Sequence, residues 1–187
     1  GSNPYSGGQA YQNSTAQTWD AFLRTFYIPG LITVDTTIKN SPRVIGAADL
    51  NDAYHITLAG NYAYAANGTR GFRIFDITNP KPLLIGNCYN QGACNISSGV
   101  TYDVWVNNTT AYVSNGTAGL RIVDISNPSN PQLLSTYNTP GTAYTTRLKD
   151  TNAVVLDASS LQLIDISAPA APVFMGSFAT PYGYRDL

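Results

Sequence analysis

An all-β fold of about four similar four-stranded units follows from three observations. One motif recurs along the chain, the runs between its copies are short and rich in β-branched and aromatic residues, and no window has helical periodicity. The motif reads GLITVDTTIKNSPRVIG from Gly30, GFRIFDITNPKPLLIG from Gly71, GLRIVDISNPSNPQLLS from Gly119 and SLQLIDISAPAAPVFMG from Ser160. Its aspartates, Asp35, Asp76, Asp124 and Asp165, are spaced by 41, 48 and 41 residues. Two further columns keep the same register: Tyr54, Tyr102 and Tyr144 ahead of the aspartates, and Pro42, Pro82, Pro131 and Pro172 behind them.

Taken in order, residues 1–18 are rich in Gly, Ser, Asn and Gln and predict a flexible or extended arm. Residues 19–53 form an incomplete first unit in which DAFLRTFYI, GLITVDTT and SPRVIG read as strands. Residues 54–101 and 102–143 are two full units. In the second of these, TYDVWVN, TAYVSNG, GLRIVDIS and PQLLSTYN are the four strands, punctuated by Asn-Thr, Asn-Gly and Asn-Pro. The longer step between Asp76 and Asp124 marks an insertion at NCYNQGACN. Residues 144–181 are a further unit, and 182–187 (YGYRDL) open another with Tyr184, an orphan first strand. Third strands that are nearly all apolar belong in small sheets covered on both faces, and units of this size with four strands describe propeller blades.

The string LRIVDISNP resembles the LVIVD repeat, a family of extracellular and surface-associated proteins expected to fold as β-propellers. The resemblance covers residues 30–187 and is strongest over 54–178. It implies a non-catalytic module without a shared active site.

Ten basic and eleven acidic residues leave a net charge of −1 with no run of either sign, so no nucleic-acid partner is expected. No stretch approaches the length of apolar chain that spans a membrane. Charged residues amount to 11%, while 13 Tyr, 17 Asn, 14 Ser and 20 Thr leave solubility to neutral polar groups or attached sugars.

Cys88 and Cys94 lack the partners of a zinc site and the spacing of a redox pair, so a disulfide closing a small loop is expected. Such a bond belongs to an oxidising compartment. Asn13, Asn67, Asn95, Asn107, Asn108 and Asn115 head Asn-x-Ser/Thr sequons and are candidate glycan acceptors. Together these features predict an extracellular or cell-surface protein.

The aspartate column is read as a structural device, each carboxylate closing an Asx-turn before the last strand, in preference to a ring of metal ligands. His55, Asp103, Thr145 and Arg185 each follow the Tyr column by one residue and share a position on the first strand, the innermost in a propeller. They are the first choice for a channel or ligand position. Nothing nominates a nucleophile beside His55, so no catalytic residue, metal or cofactor is assigned.

The expected role is a non-catalytic structural or interaction glycoprotein. Its partners are itself, as a homo-oligomer or a filament joined by strand complementation, or other surface proteins and glycans. The alternatives are a carbohydrate-binding, lectin-like propeller using the tyrosines with Trp19 and Trp105, and a segment of a larger surface propeller.

Overall fold

The computed structural model describes residues 30–35, 43–50, 52–89 and 93–180, and within them every regular element is a β-strand. Strands β1 (Gly30–Asp35) and β2 (Arg43–Asp49) form an antiparallel pair. Three antiparallel meanders follow in chain order. The first contains β3 (His55–Ala59), β4 (Tyr62–Ala66), β5 (Phe72–Asp76) and β6 (Leu83–Cys88). The second contains β7 (Asp103–Asn107), β8 (Thr110–Ser114), β9 (Leu120–Asp124) and β10 (Gln132–Tyr137). The third contains β11 (Thr145–Lys149), β12 (Asn152–Leu156), β13 (Ser160–Asp165) and β14 (Val173–Ala179). Each meander falls inside one sequence unit. The arm at 1–18, the DAFLRTFYI segment and the strand expected at 182–187 lie outside the described residues.

Each sheet repeats the same local devices. The first hairpin turns on Gly60, Asn108 or Asp150, whose φ values of 57°, 51° and 54° lie in the left-handed region that Gly, Asn and Asp tolerate best. Asp76, Asp124 and Asp165 each accept the backbone N–H two residues ahead, from Thr78, Ser126 and Ser167, at 2.8 Å. These Asx-turns end the third strand and aim the chain into the fourth. Asp35 ends β1, and the turn after it, residues 36–42, lies outside the described part. A β-bulge then shifts the third-to-fourth strand register at the same place in every sheet, between Thr33 and Val34, Ile74 and Phe75, Leu133 and Ser135, and Leu163 and Ile164. A bulge strengthens the local twist, as fanned sheets require.

The core lies between sheets. Alternate residues of a strand face opposite sides, and both sides of the middle sheets are covered. Leu31 and Leu50 pack with Ala63, Ala65 and Phe75. Phe72, Ile74 and Cys88 pack with Val104, Val113 and Val123. Leu120 and Ile122 pack with Ala153, Val155 and Ile164. Cys88 and Cys94 are bonded, which folds Ile96 of the insertion into the second of these layers.

The seams also carry polar contacts. Gly68 exchanges backbone hydrogen bonds with Thr101, and Gly116 with Ala143, tying each sheet to the entry of the next. At the outer strand, the backbone approaches so closely that a Cβ on Gly46 would sit 1.8 Å from the Pro80 carbonyl oxygen, and one on Gly86 2.1 Å from that of Pro128. At the third such position Ser135 donates its hydroxyl to the Pro169 carbonyl at 2.6 Å.

Candidate functional site

The sheets converge on their first strands, with β7 lying against both β3 and β11. Tyr54, Tyr102 and Tyr144 enter these strands and meet edge to face, both centroid separations being 5.1 Å. One residue on, Asp103 is the centre of a polar cluster. Its Oδ2 accepts from the Thr145 hydroxyl at 2.6 Å, the Thr146 N–H at 3.0 Å and Arg147 Nη1 at 2.9 Å. Its Oδ1 faces His55 Nδ1 at 2.7 Å, and neither atom has another partner among the described residues. Arg147 also rests over the Trp105 ring, with its guanidinium carbon 5.3 Å from the centroid.

Three of the four residues assigned to one inner-strand position thus meet in space: His55, Asp103 and Thr145, one from each sheet. Arg185 lies outside the described residues. Arg147 supplies a cation from two residues past Thr145. The signal for it was the strand alternation itself, since residues 145 and 147 share a face.

Burial alone would raise the Asp103 pKa, but the contacts with His55, Thr145 and the Thr146 amide outweigh it and hold the carboxyl at about 2. A carboxylate that ionised and that fully engaged makes a poor base near neutrality. Its geometry suits a pin joining three sheets. Thr57 donating to the Val104 carbonyl at 2.6 Å and Ser114 paired with Thr146 at 2.8 Å extend the same seam.

The sequons divide by burial. Asn95, Asn107 and Asn108 are exposed, whereas Asn67 and Asn115 are fully buried, so the folded chain withholds these two from any glycan-transferring enzyme. Asn115 accepts from the Thr101 hydroxyl at 3.1 Å and donates to the Ile96 carbonyl at 3.0 Å; Asn67 accepts from the Asp52 N–H at 3.2 Å. Asp157 fills the same place in the third meander and accepts from the Gly141 N–H at 3.3 Å. Asn67, Asn115 and Asp157 therefore form a column that fastens the second turn to the entry of its own sheet. Their spacing of 48 and 42 residues was the available signal, hidden by the sequon reading. Asn13 lies outside the described residues.

Of the tyrosines considered for stacking, Tyr54 is half exposed and Tyr62 partly exposed. Tyr64 and Tyr112 are buried between sheets. Asp76, Asp124 and Asp165 end their third strands in Asx-turns, and among the described residues no group of three His, Cys, Asp or Glu side chains could hold a metal. A shallow groove of about 470 Å³ between β6, Cys94 and the Ser129–Pro131 turn has no charged side chain in its lining.

Successive four-stranded meanders that converge on their first strands define a β-propeller-type repeat protein. A model of the LVIVD repeat matches residues 51–90, 98–139 and 153–180, and the chain belongs to the LVIVD repeat family. No curated protein matches the chain. Solved structures similar to it include the computationally designed Ika4 protein, with a TM-score of 0.57 at 9% identity over 72% of this chain and 77% of that one. The computationally designed Ika8 protein is similar with a TM-score of 0.61 at 8% identity, over 86% of this chain and half the length of that one, 50%. At such identities the likeness is one of fold.

Proposed function

We propose that the chain is a non-catalytic structural module of an extracellular or cell-surface glycoprotein and that it associates with copies of itself. The observation that carries this reading is the engagement of Asp103, whose carboxylate joins three sheets and has both oxygens committed to protein contacts. What the repeat multiplies is joinery: Asx-turns, a buried Asn or Asp column, and carbonyl seats between sheets. The Cys88–Cys94 bond supports an oxidising compartment, and exposed Asn95, Asn107 and Asn108 are positions where sugar fits. Strand exchange through residues 182–187 is the route the sequence offers for joining copies.

Light scattering across a dilution series tests the association. A mass that rises above that of one chain, 20.0 kDa, with concentration is the expected result. One-chain mass at every concentration removes self-association from the reading.

A further inference from the structure

The tyrosines at the convergent end of the strands touch one another across two seams. Tyr54 stands at the entry of the first meander, Tyr102 at that of the second and Tyr144 at that of the third, and both centroid separations are 5.1 Å, near the short end of the range for edge-to-face pairs. Bare backbone seats the first two rings. A Cβ on Gly68 would stand 3.1 Å from Tyr54 Cε2, and one on Gly116 3.4 Å from Tyr102 Cε2, so each ring edge rests on the glycine of its own sheet's second turn. These glycines have φ values of 53° and 57°, a region that glycine occupies without strain. Two phenols from different sheets are thus held in fixed contact, which removes the cost of bringing reacting groups together.

Access differs along the column. Tyr54 is 52% exposed, whereas Tyr102 and Tyr144 are half-buried. A reagent in solution meets Tyr54 first, and Tyr102 only through it. The Cys88–Cys94 bond suits an oxidising compartment, where phenols as well as thiols encounter oxidants.

We propose that Tyr54 and Tyr102 are an oxidative cross-linking site, coupled to dityrosine by hydrogen peroxide and a haem peroxidase, so that a carbon–carbon bond staples the first meander to the second. Tyr54 first loses an electron and its phenolic proton and becomes a phenoxyl radical. An electron and a proton from Tyr102 restore it across the ring contact, and Tyr54 is then oxidised a second time. Each radical carries part of its spin on the ring carbons beside the oxygen, and one such carbon from each ring joins the other. Both carbons then release their hydrogens as protons, and both phenol O–H groups are regained. In sum two C–H bonds break and one C–C bond forms, while one peroxide takes up the two electrons and two protons to give two waters. The site lies within one chain and does not depend on the self-association proposed above.

The test is treatment of the full chain, diluted until its mass is that of one chain, with peroxide and a haem peroxidase. The expected product keeps one-chain size, is lighter by two hydrogen atoms, shows dityrosine fluorescence and yields on digestion a linked pair of peptides holding Tyr54 and Tyr102. It should melt above the untreated chain, because the bond closes a long loop in the unfolded state. Tyr54→Phe keeps the ring and its packing but has no O–H to lose, so it should melt like the parent and lose the link. Tyr89→Phe removes a phenol that is 37% exposed and outside the column, and should leave the link unchanged. A parent chain that forms no bond between Tyr54 and Tyr102 overturns the proposal, as does an intrachain link that persists in Tyr54→Phe or disappears in Tyr89→Phe.

Discussion

Asp103 sits where three sheets meet, with both carboxylate oxygens engaged by protein groups, and this makes it the residue on which acid stability should turn. An aspartate in an unfolded chain titrates near 3.9, and the fold holds this one at about 2. A carboxyl whose pKa is lowered by folding stabilises the fold above its unfolded value and loses that contribution as pH falls through its folded one. About 2–3 kcal/mol should therefore disappear between about pH 4 and pH 2, measurable as a falling urea midpoint in an acid series. In Asp103→Asn that acid-dependent loss should be smaller, and stability at neutral pH should drop by about 1–3 kcal/mol because the buried junction loses the charge-assisted contacts to Arg147 and Thr145. At the sequons, glycopeptide mapping of material from a glycosylating host should find Asn67 and Asn115 bare, with any N-linked sugar confined to the exposed acceptors. Occupancy at Asn115 would contradict the buried amide described above. Residue roles were legible where a column was complete, as for the Asx aspartates, and the common position of His55, Asp103 and Thr145 followed from alternation. Two kinds of information were missing. A sequon motif says nothing of burial, and a cation two residues along a strand is visible only once the face it shares is known to be the one that closes on Asp103.

At the scale of the strand, one column makes opposite predictions at two of its members. Gly86→Ala would drive a Cβ against the Pro128 carbonyl, a backbone group with little room to yield, and should cost about 1–3 kcal/mol in denaturant unfolding. Gly176→Ala meets open space and should lie within about 0.5 kcal/mol of the parent. Equal effects would mean that the seat is not formed as described. The Cys88–Cys94 bond acts on one element as well, holding Ile96 against Phe72 and Val104. Its reduction should lower stability by about 2 kcal/mol. Strands and period were readable because alternation and turn residues are local, and the insertion was readable because it broke the period. The carbonyl seat was not, since glycine at a bulge and glycine beneath a neighbouring backbone look alike until the neighbour is in place.

Across the whole molecule, the sheets differ less in sequence than in how many neighbours they have, and that should set their local stability. In an array where each unit contacts only those beside it, stability is roughly the sum of unit and seam contributions, so a sheet covered on both faces opens less readily than one covered on a single face. The β7–β10 sheet is covered on both: Val104, Val113 and Val123 face the first meander, while Leu120 and Ile122 face the third. Among the described residues the β11–β14 sheet is covered on one, and Leu163 and Phe178 on its other side are exposed. Native-state hydrogen exchange in dilute protein should therefore find the slowest amides in β8 and β9, at inner positions such as Val113 and Ile122, and faster exchange at the equivalent Val155 and Leu163. The outermost strands β2 and β14 should exchange fastest of the described strands. Uniform exchange across the three meanders would mean that the array opens as one cooperative unit and that seam number does not govern its stability.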